Sequence, residues 1–523
     1  MHFSQTIRTR TVAAALIGAA AVLPTVAATQ REIPPAFGPY INLTAKDFAA
    51  AATFKSSDRI VGTYYFYWYN APTKEHIVNP EDGSDGLTDH PPSLDSFSYK
   101  SVSWHKKQLA DMSDAGIDLL LATFWGAPSE RSAKAALYWS YAGLEPLVQA
   151  REELLREGRQ PPRLGLFYDT STLQYNEWGE HIDLTTDYGK RWFYATIRDF
   201  YSAIPPRHWA MMDNKPIVLM YASAFAKKHD QAFVDFTREQ FRREFGGREL
   251  YLVPQDSWQA RGDNVCAWGG ACGLRNPGIG ELGPGYNDSA VFGRKPMIVN
   301  REGGKFYEAN WTRFLRRPSN FVMIETWSEF HEGTEICESR EYGRQYIELT
   351  RKYADRFKKG WAPPWPRGRF TGANTVSVAA GESKESGVRF IPFEDSGATP
   401  SRVDGRDCWS AKPIRSASAY LYFQMDDSFK WKTLMDAMIE IEYRDSAAGL
   451  LGIEFDGSDR DAPVHGAYTR TEKIALRGDR AWKTARFKLS GACFANGQNG
   501  GADFRLVAEA AGISVQRVTV VRE

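Results

Sequence analysis

The stretch that decides the fold of this protein is residues 321–335, which read FVMI (321–324) and then ETWSEFHEGTE (325–335). The short apolar run predicts a buried β-strand. The segment after it packs four carboxylates and a histidine into eleven positions. Carboxylates at the end of a buried strand cost desolvation energy unless they are paired or used. The stretch therefore predicts either a functional acid cluster or a solvated acidic loop that caps the next helix.

Glu329 and Glu332 are the candidate catalytic residues in this segment. Side chains three positions apart lie on the same side of a turn or of a first helical turn. Two such carboxyls can act on one sugar ring when one is ionised and the other is kept protonated by its neighbour's charge. His331 lies between them, where it either tunes the acids, binds a hydroxyl or is simply packed and hydrogen-bonded.

Strand and helix patterns alternate along the chain that leads to this stretch. Strands are predicted at 60–69, 117–124, 164–168, 215–221, 250–253 and 321–325, with two shorter ones within 271–286. Helices are predicted at 102–115, 133–156, 188–203, 230–245, 305–315 and 341–358. This alternation indicates βα units and a parallel sheet. About eight strands in about 300 residues favour a (β/α)₈ TIM barrel over a doubly wound sheet.

A barrel of this kind carries its functional groups at the carboxyl ends of its strands. Here those ends carry aromatic side chains around acids, which is the lining that a carbohydrate cleft needs. They are Tyr67, Trp68, Tyr69, Trp125, Asp169, Tyr221, Asp256, Trp258, Tyr286 and Asp288. Trp125 and Trp258 are stacking platforms in this interpretation, although lone aromatics more often belong to the core.

The two ends of the chain predict an export signal and a second domain. Arg8 and Arg10 precede an apolar, alanine-rich run, and small residues follow it, as in a signal peptide. After a Pro/Gly/Trp-rich linker, short alternating segments with frequent turns predict an all-β sandwich, which either binds carbohydrate or packs structurally. We therefore expect a signal peptide at 1–28, a linker at 29–59, a catalytic barrel at 60–360, a linker at 361–373 and a sandwich at 374–523.

Composition limits the classes of partner. The formal net charge of +1 over 523 residues argues against a nucleic-acid partner. No segment reaches the roughly 18 apolar residues that suggest a membrane span, so we expect an exported protein, periplasmic or secreted. Five cysteines are too few for a disulfide scaffold. Bridges remain open for Cys266 with Cys272 and for Cys408 with Cys493, which leaves Cys337 alone.

The acidic stretch resembles a family signature. Residues 324–338 are similar to S-F-N-E-W-H-E-G-T-Q-I-E of the endo-α-mannosidases, glycoside hydrolase family 99. The matching positions are Glu329, His331, Glu332, Gly333, Thr334 and Ile336, with Glu338 shifted by one. Upstream, GPGYND (283–288) and REGGKFY (301–307) resemble P-G-Y-D-D … R-x-x-G-x-Y-Y, while YWYN (67–70) and DHP (89–91) resemble Y-x-W-Y-G and N-H-P.

The resemblance implies a retaining endo-glycosidase that acts on α-mannosidic linkages without a metal or cofactor. Glu329 would be the base on the substrate's own 2-hydroxyl, which gives a 1,2-anhydro sugar. Glu332 would protonate the leaving oxygen and later activate water. The match also implies that His90 and Arg301 line the cleft. Without it, His90 caps its loop and Arg301 forms an ion pair with Asp288.

The sequence departs from the family pattern at four positions. Ser328 stands where the family has Asn, Phe330 where it has Trp and Glu335 where it has Gln. Asp169 stands where a substrate-binding Glu is expected, and its carboxylate is shorter by one methylene. We therefore expect an oligosaccharide or polysaccharide substrate, which need not be a mannan. Two other classes remain open, a non-catalytic glycan-binding protein and a glycan-processing transferase.

Overall fold

The structure is a computed structural model that describes residues 31–523, except 383–385, 394, 415–416, 431–433, 460–461, 465 and 511. The signal peptide expected at 1–28 lies outside the described residues. Within the described part of the chain, none of the helices combines the length and the apolar character that a bilayer crossing requires.

A parallel sheet forms the N-terminal part of the protein. Its seven parallel strands in the described residues are β1 (Ile60–Tyr65), β2 (Leu119–Phe124), β3 (Arg163–Tyr168), β4 (Lys215–Met220), β5 (Tyr251–Pro254), β6 (Gly280–Leu282) and β7 (Phe321–Ile324). They are ordered β5-β4-β3-β2-β1-β7-β6, and each neighbouring pair is parallel. This cyclic order follows the chain, as a barrel requires. The strands are nearly all buried, as in sheets covered on both faces.

The ladder is interrupted between β5 and β6 in the described residues. One parallel bridge joins Gln255 to Cys266, and the amide of Ile279 donates to the carbonyl of Val265 at 2.9 Å. The intervening segment 269–278 holds four glycines and a proline, which weaken regular strands. The predicted parallel α/β architecture is therefore confirmed, with seven parallel strands in place of about eight and no continuous ladder at this point.

Six longer helices of the described residues accompany the sheet: α1 (Val102–Asp114), α2 (Leu144–Arg156), α3 (Asp187–Ala203), α4 (Ala232–Glu244), α5 (Lys305–Arg316) and α6 (Gln345–Lys358). The single helix predicted at 133–156 is wrong. A one-turn helix, Trp139–Ala142, precedes Gly143, and α2 begins after it. Pro146 lacks an amide hydrogen and is tolerated only in a first turn, which explains the new start.

The C-terminal part is a β-sandwich, as predicted. Its first sheet contains Thr375–Ala379, Thr399–Val403, Arg406–Ala411, Met435–Arg444, Trp482–Ala492 and Ile513–Arg522. Its second sheet contains Val388–Ile391, Ala419–Met425, Ala448–Phe455, Thr469–Arg470, Ile474–Arg477 and Phe504–Glu509. Alternate side chains of both sheets form a core of their own.

Two further features concern connections within the molecule. Asp427 of the sandwich accepts hydrogen bonds from Arg316 at 2.9 Å and from Arg313 at 3.2 Å, both on α5. Cys266 and Cys408 carry free thiols, so neither candidate disulfide forms. The domain boundaries expected from composition stay predictions.

Candidate active site

Residues 325–335 form a loop that is held against the end of β1. The amide of Trp327 donates to the carbonyl of Tyr64 at 2.9 Å, and the amide of Thr326 donates to the carbonyl of Thr334 at 2.9 Å. Gly333 has a φ of 51°, and a Cβ there would meet Asp89 Oδ2 at 3.2 Å. The loop is therefore closed on itself, and a side chain at Gly333 would press on Asp89 and would have to adopt a left-handed backbone conformation.

The carboxyl of Glu329 is buried, with 3% of the residue exposed. Its Oε1 accepts from the amide of His331 at 2.9 Å and lies 2.8 Å from Nδ1 of the same histidine. A carboxylate acceptor at that distance indicates that Nδ1 carries a proton. Oε2 of Glu329 is also buried, and it has no hydrogen-bond partner among the residues that the structure describes. Glu329 therefore has one oxygen fixed and one oxygen available as an acceptor.

Glu332 meets a different environment. Its Oε1 accepts from Nη1 of Arg294 at 2.8 Å. Burial and then the charge of Glu329 raise the pKa of Glu332 to about 7, although Arg294 acts in the opposite direction. Glu332 can therefore hold a proton near neutral pH beside a second carboxyl, which is the arrangement expected of an acid and base pair.

Arg294 was not predicted from the sequence as a site residue. It belongs to a segment that we name the Arg294 hairpin (residues 286–299). Strands Tyr286–Asn287 and Ile298–Val299 pair antiparallel, so they do not belong to the parallel sheet. The amide of Asn287 donates to the carbonyl of Glu332 at 2.8 Å. Nη1 of Arg294 lies 3.3 Å from Tyr286 Oη and 3.4 Å from Asp288 Oδ2. The hairpin thus brings the predicted Tyr286 and Asp288 together with Glu332. Arg294 itself could not be selected from the sequence, because a single basic residue in a loop is usually solvated.

Aromatic rings surround the Glu329 side of the site. The ring of His331 stacks on Tyr69 with centroids 5.4 Å apart and meets Trp68 edge-on at 5.4 Å. Trp68 stacks on His76 at 4.9 Å and meets Trp125 edge-on at 5.5 Å. Burial lowers the pKa of His76 to about 3, so this histidine is neutral. Three of the predicted aromatics therefore lie together, and His76 joins them without having been selected from the sequence.

Other predicted contacts are used inside the protein. The hydroxyl of Tyr67 donates to the carbonyl of Ser140 at 2.7 Å, and that of Ser328 donates to the carbonyl of Phe66 at 2.7 Å. The indole of Trp258 donates to the carbonyl of Tyr221 and is almost fully buried, so Trp258 belongs to the core. Substrate contacts by Tyr67, Ser328 and Tyr221 stay predictions.

Arg301 lies in a buried ion-pair cluster. Its Nη2 donates to Glu335 Oε2 at 2.7 Å and to Asp89 Oδ2 at 3.2 Å. The alternative pairing with Asp288 is wrong, because Asp288 lies beside Arg294. Burial raises the pKa of Glu335, and Asp89 adds to the effect. The Arg301 cluster therefore braces the loop behind the acid pair.

His90 and Asp169 have local partners. His90 lies 2.8 Å from Glu341 and 3.0 Å from Asp85, and its pKa is raised because these carboxylates outweigh the effect of burial. Asp169 accepts from the amide of Ser171 at 3.0 Å, and burial raises its pKa to about 6. Their roles toward a substrate stay predictions. Among the described residues, no group of three His, Cys, Asp or Glu side chains has the arrangement to hold a metal ion.

Comparison with known proteins gives partial matches of two kinds. The chain is 30% identical over 99 residues to the glycoprotein endo-alpha-1,2-mannosidase of Mus musculus and 28% identical over 99 residues to that of Rattus norvegicus. Each match covers 16% of this chain and 21% of the relative, so the chain spans about a fifth of the length of these relatives. The GH99 endo-alpha-mannosidase from Bacteroides thetaiotaomicron superposes with a TM-score of 0.43 at 16% identity, covering 58% of this chain and 98% of that one.

A family model covers more of the chain. The model described as a domain of unknown function, DUF5010, matches residues 44–367, which include every strand of the parallel sheet and the whole acidic loop. That span is more than half of the 523 residues. The chain therefore belongs to the DUF5010 family.

Proposed function

We propose that this protein is a retaining endo-α-glycosidase, similar to endo-α-mannosidases, which hydrolyses an internal bond of an oligosaccharide or polysaccharide on a closed (β/α)₈ barrel. The observation that supports this proposal most is the buried pair of Glu329 and Glu332. Oε2 of Glu329 is an acceptor without a partner among the described residues, and the pKa of Glu332 is raised to about 7. Non-catalytic glycan binding does not require such a pair. On the sequence of residues 1–28, we further propose that the enzyme is exported.

In the first half of the reaction, Oε2 of Glu329 takes the proton of the substrate's 2-hydroxyl. The 2-oxygen then attacks the anomeric carbon and forms a 1,2-anhydro sugar. The bond from the anomeric carbon to the leaving oxygen breaks, and Glu332 gives its proton to that oxygen. His331 holds Oε1 of Glu329 through two hydrogen bonds, which keeps Oε2 turned toward the hydroxyl.

The second half restores both carboxyls. Glu332, now ionised, takes a proton from a water molecule that attacks the anomeric carbon. The bond to the 2-oxygen breaks, and this oxygen recovers its proton from Glu329. Two inversions at one carbon leave its configuration retained. The sequence of steps consumes one water and needs no oxidant or reductant.

The names of the relatives and the aromatic rings of the site indicate the class of substrate. The relatives with a partial match are named as endo-alpha-1,2-mannosidases, which favours an α-mannoside. The aromatic rings of Trp68 and Trp125 suit stacking on sugar rings, whereas Tyr69 is fully buried between Phe97 and His331. Asp169 stands where the resemblance implies Glu. It is buried and accepts a hydrogen bond from the amide of Ser171, so the contacts around the reacting sugar differ from the family pattern.

A leaving-group experiment tests the role of Glu332. Without its acid, Glu332→Gln should lose about 10²- to 10⁴-fold of kcat/KM on an α-mannan but little of kcat/KM on a dinitrophenyl α-glycoside of mannobiose, whose leaving group needs no proton. Its kcat should fall on both substrates, because Glu332 also activates the water of the second half. Binding of the mannan, measured by calorimetry, should persist. Undiminished mannan hydrolysis by Glu332→Gln would contradict the acid role.

A substrate analogue tests the role of Glu329. A mannoside that is O-methylated at the 2-position lacks the proton that Glu329 accepts, so the wild-type enzyme should bind it without cleaving it. Anomeric NMR of the natural product should show retention. A covalent glycosyl-enzyme detected by mass spectrometry with a 2-fluoro glycosyl fluoride would favour direct attack by a carboxylate instead.

A further inference from the structure

The contact between Arg294 and Glu332 distinguishes the two oxygens of the carboxyl. Nη1 of Arg294 lies 2.8 Å from Oε1, and no hydrogen bond joins Arg294 to Oε2 in the described residues. A guanidinium carries only donors and remains charged throughout the accessible pH range. In a carboxylic acid the carbonyl oxygen is a much better acceptor than the hydroxyl oxygen, so a charged donor on Oε1 favours the protonated form of Glu332 that carries its hydrogen on Oε2.

We propose that Arg294 is a positioning residue that fixes Glu332 through Oε1 and thereby directs the transferable proton to Oε2. The inference rests on the proposed function, in which Glu332 protonates the leaving oxygen. A carboxyl held at one oxygen keeps the other in a single orientation, and orientation of a reacting group contributes strongly to rate. Arg294 touches Glu332 and not the reacting bond, so it acts through Glu332.

The Arg294 hairpin is built to keep the guanidinium in position. Oδ1 of Asp288 accepts from the amide of Met297 at 2.7 Å and closes the turn, while Oδ2 faces Arg294. Asn287 ties the hairpin to the carbonyl of Glu332. Only 17% of the Arg294 side chain is exposed. The arginine is therefore a braced part of the site and differs from the exposed Lys295 beside it.

The charges around Glu332 determine the direction in which its pKa should move when Arg294 is replaced. Among the described residues, the titratable and charged groups that face it are Glu329 and His331 on its own loop, Tyr286, Asp288 and Arg294 on the hairpin, and Asp89 beside Gly333. Arg294 contacts the carboxyl directly, and its charge favours the ionised form. Removal of this cation should therefore raise the pKa of Glu332.

The test compares Arg294→Met with the matched variant Lys295→Met, which removes the same charge from the same hairpin. Arg294→Met should lower kcat on an α-mannan about 10- to 100-fold. This loss is smaller than the loss expected when the acid itself is removed in Glu332→Gln. Its KM should change little, and the alkaline limb of its pH profile should move to higher pH. On the dinitrophenyl glycoside kcat/KM, which reports only the first half of the reaction, should hardly change. Arg294→Lys should recover the pH limb but only part of kcat, because an ammonium does not match the planar fork.

A second readout does not depend on turnover. In protein labelled with ¹³C at the glutamate carboxyls, the Glu332 signal, assigned with Glu332→Gln, should titrate at higher pH in Arg294→Met than in the wild type. An unchanged titration, an equal loss of rate on both leaving groups, or the same effects in Lys295→Met would overturn the inference. If the wild type cleaves no glycan, the proposed function fails, and the titration still decides whether Arg294 controls Glu332.

Discussion

Glu329 and Glu332 are chemically identical, and their hydrogen-bond partners make them different. Oε1 of Glu329 is held by the amide and by Nδ1 of His331, which leaves its second oxygen without a partner among the described residues. Glu332 is held by one guanidinium and lies close enough to Glu329 for that charge to raise its pKa. A carboxyl whose pKa is raised beside a second carboxyl is typical of acid and base pairs.

A pH dependence follows at the residue scale. Glu332 must be protonated to act as the acid, and its pKa is raised to about 7. Turnover on an unactivated glycan should therefore fall as the pH rises through about 7. Initial rates on an α-mannan between pH 4 and 9 check this, with the dinitrophenyl glycoside as the control that needs no acid. An alkaline limb of equal position on both substrates would assign the titration to another group.

The Arg301 cluster allows a prediction of stability. Arg301 faces Glu335 and Asp89 and lies over the rings of Tyr342 and Tyr346. Arg301→Met leaves buried carboxyls without their cation and should lower the free energy of unfolding by about 3–5 kcal/mol. Urea denaturation followed by tryptophan fluorescence measures the change.

The matched variant for this cluster is Glu335→Gln. Burial and Asp89 raise the pKa of Glu335, so a neutral amide of the same shape resembles the group already present. The expected loss in free energy of unfolding is below about 1 kcal/mol, because a neutral hydrogen-bonding side chain replaces another. Equal losses in Arg301→Met and Glu335→Gln would show that Glu335 is the ionised partner of Arg301.

At the scale of elements, the position of the Arg294 hairpin depends on the glycine that precedes it. Gly285 has a φ of 139°, and a Cβ there would lie 2.6 Å from the carbonyl oxygen of Val299 and 2.8 Å from Cγ of Arg301. Gly285→Ala should displace the hairpin, destabilise the protein by about 1–3 kcal/mol and reduce activity on an α-mannan. Thermal unfolding and kcat measured on the same sample check both effects.

Gly293, in the turn of the same hairpin, provides the control. Its φ is 75°, but a Cβ there meets no heavy atom within 4 Å. Gly293→Ala therefore carries only the backbone cost of a left-handed residue, about 1–2 kcal/mol, and should leave kcat nearly unchanged. A loss of activity in Gly293→Ala as large as in Gly285→Ala would mean that backbone strain, and not close approach, controls the site.

At the scale of the whole molecule, Asp427 connects the sandwich to the parallel sheet domain. Burial alone would raise the pKa of Asp427, but Lys430, Arg313 and Arg316 lower it well below its usual range. Asp427→Asn removes the negative charge that both α5 arginines contact and should lower stability by about 3–5 kcal/mol. Calorimetry should show that the sandwich, or the two domains together, unfolds at a lower temperature in this variant than in the wild type.

Asp407→Asn is the corresponding control in the same sandwich. Asp407 lies 3.8 Å from Arg402, and both side chains are more than half exposed. Exposed pairs of this kind contribute about 0–1 kcal/mol, so the transition temperature should hardly change. If Asp427→Asn behaves like Asp407→Asn, the ion pairs with α5 do not stabilise the contact between the domains.

The sequence by itself determined the alternation of strands and helices and the change to a sandwich, and it singled out Glu329 and Glu332 as the proposed acid pair. Each of these depends on local spacing, which reports the backbone directly. The helix break at Gly143 was not predicted, because the helical spacing of apolar residues continues on both sides of Gly143 and Pro146.

Only the tertiary structure decided which side chains meet at the site. Arg294 reaches Glu332 across 38 positions and Arg301 reaches Asp89 across 212, and no periodicity relates residues so far apart. Trp125 meets Trp68 for the same reason, because the loops after β2 and β1 converge at one end of the parallel sheet. Local spacing determines which face a residue occupies, whereas the partner on that face depends on how distant loops pack.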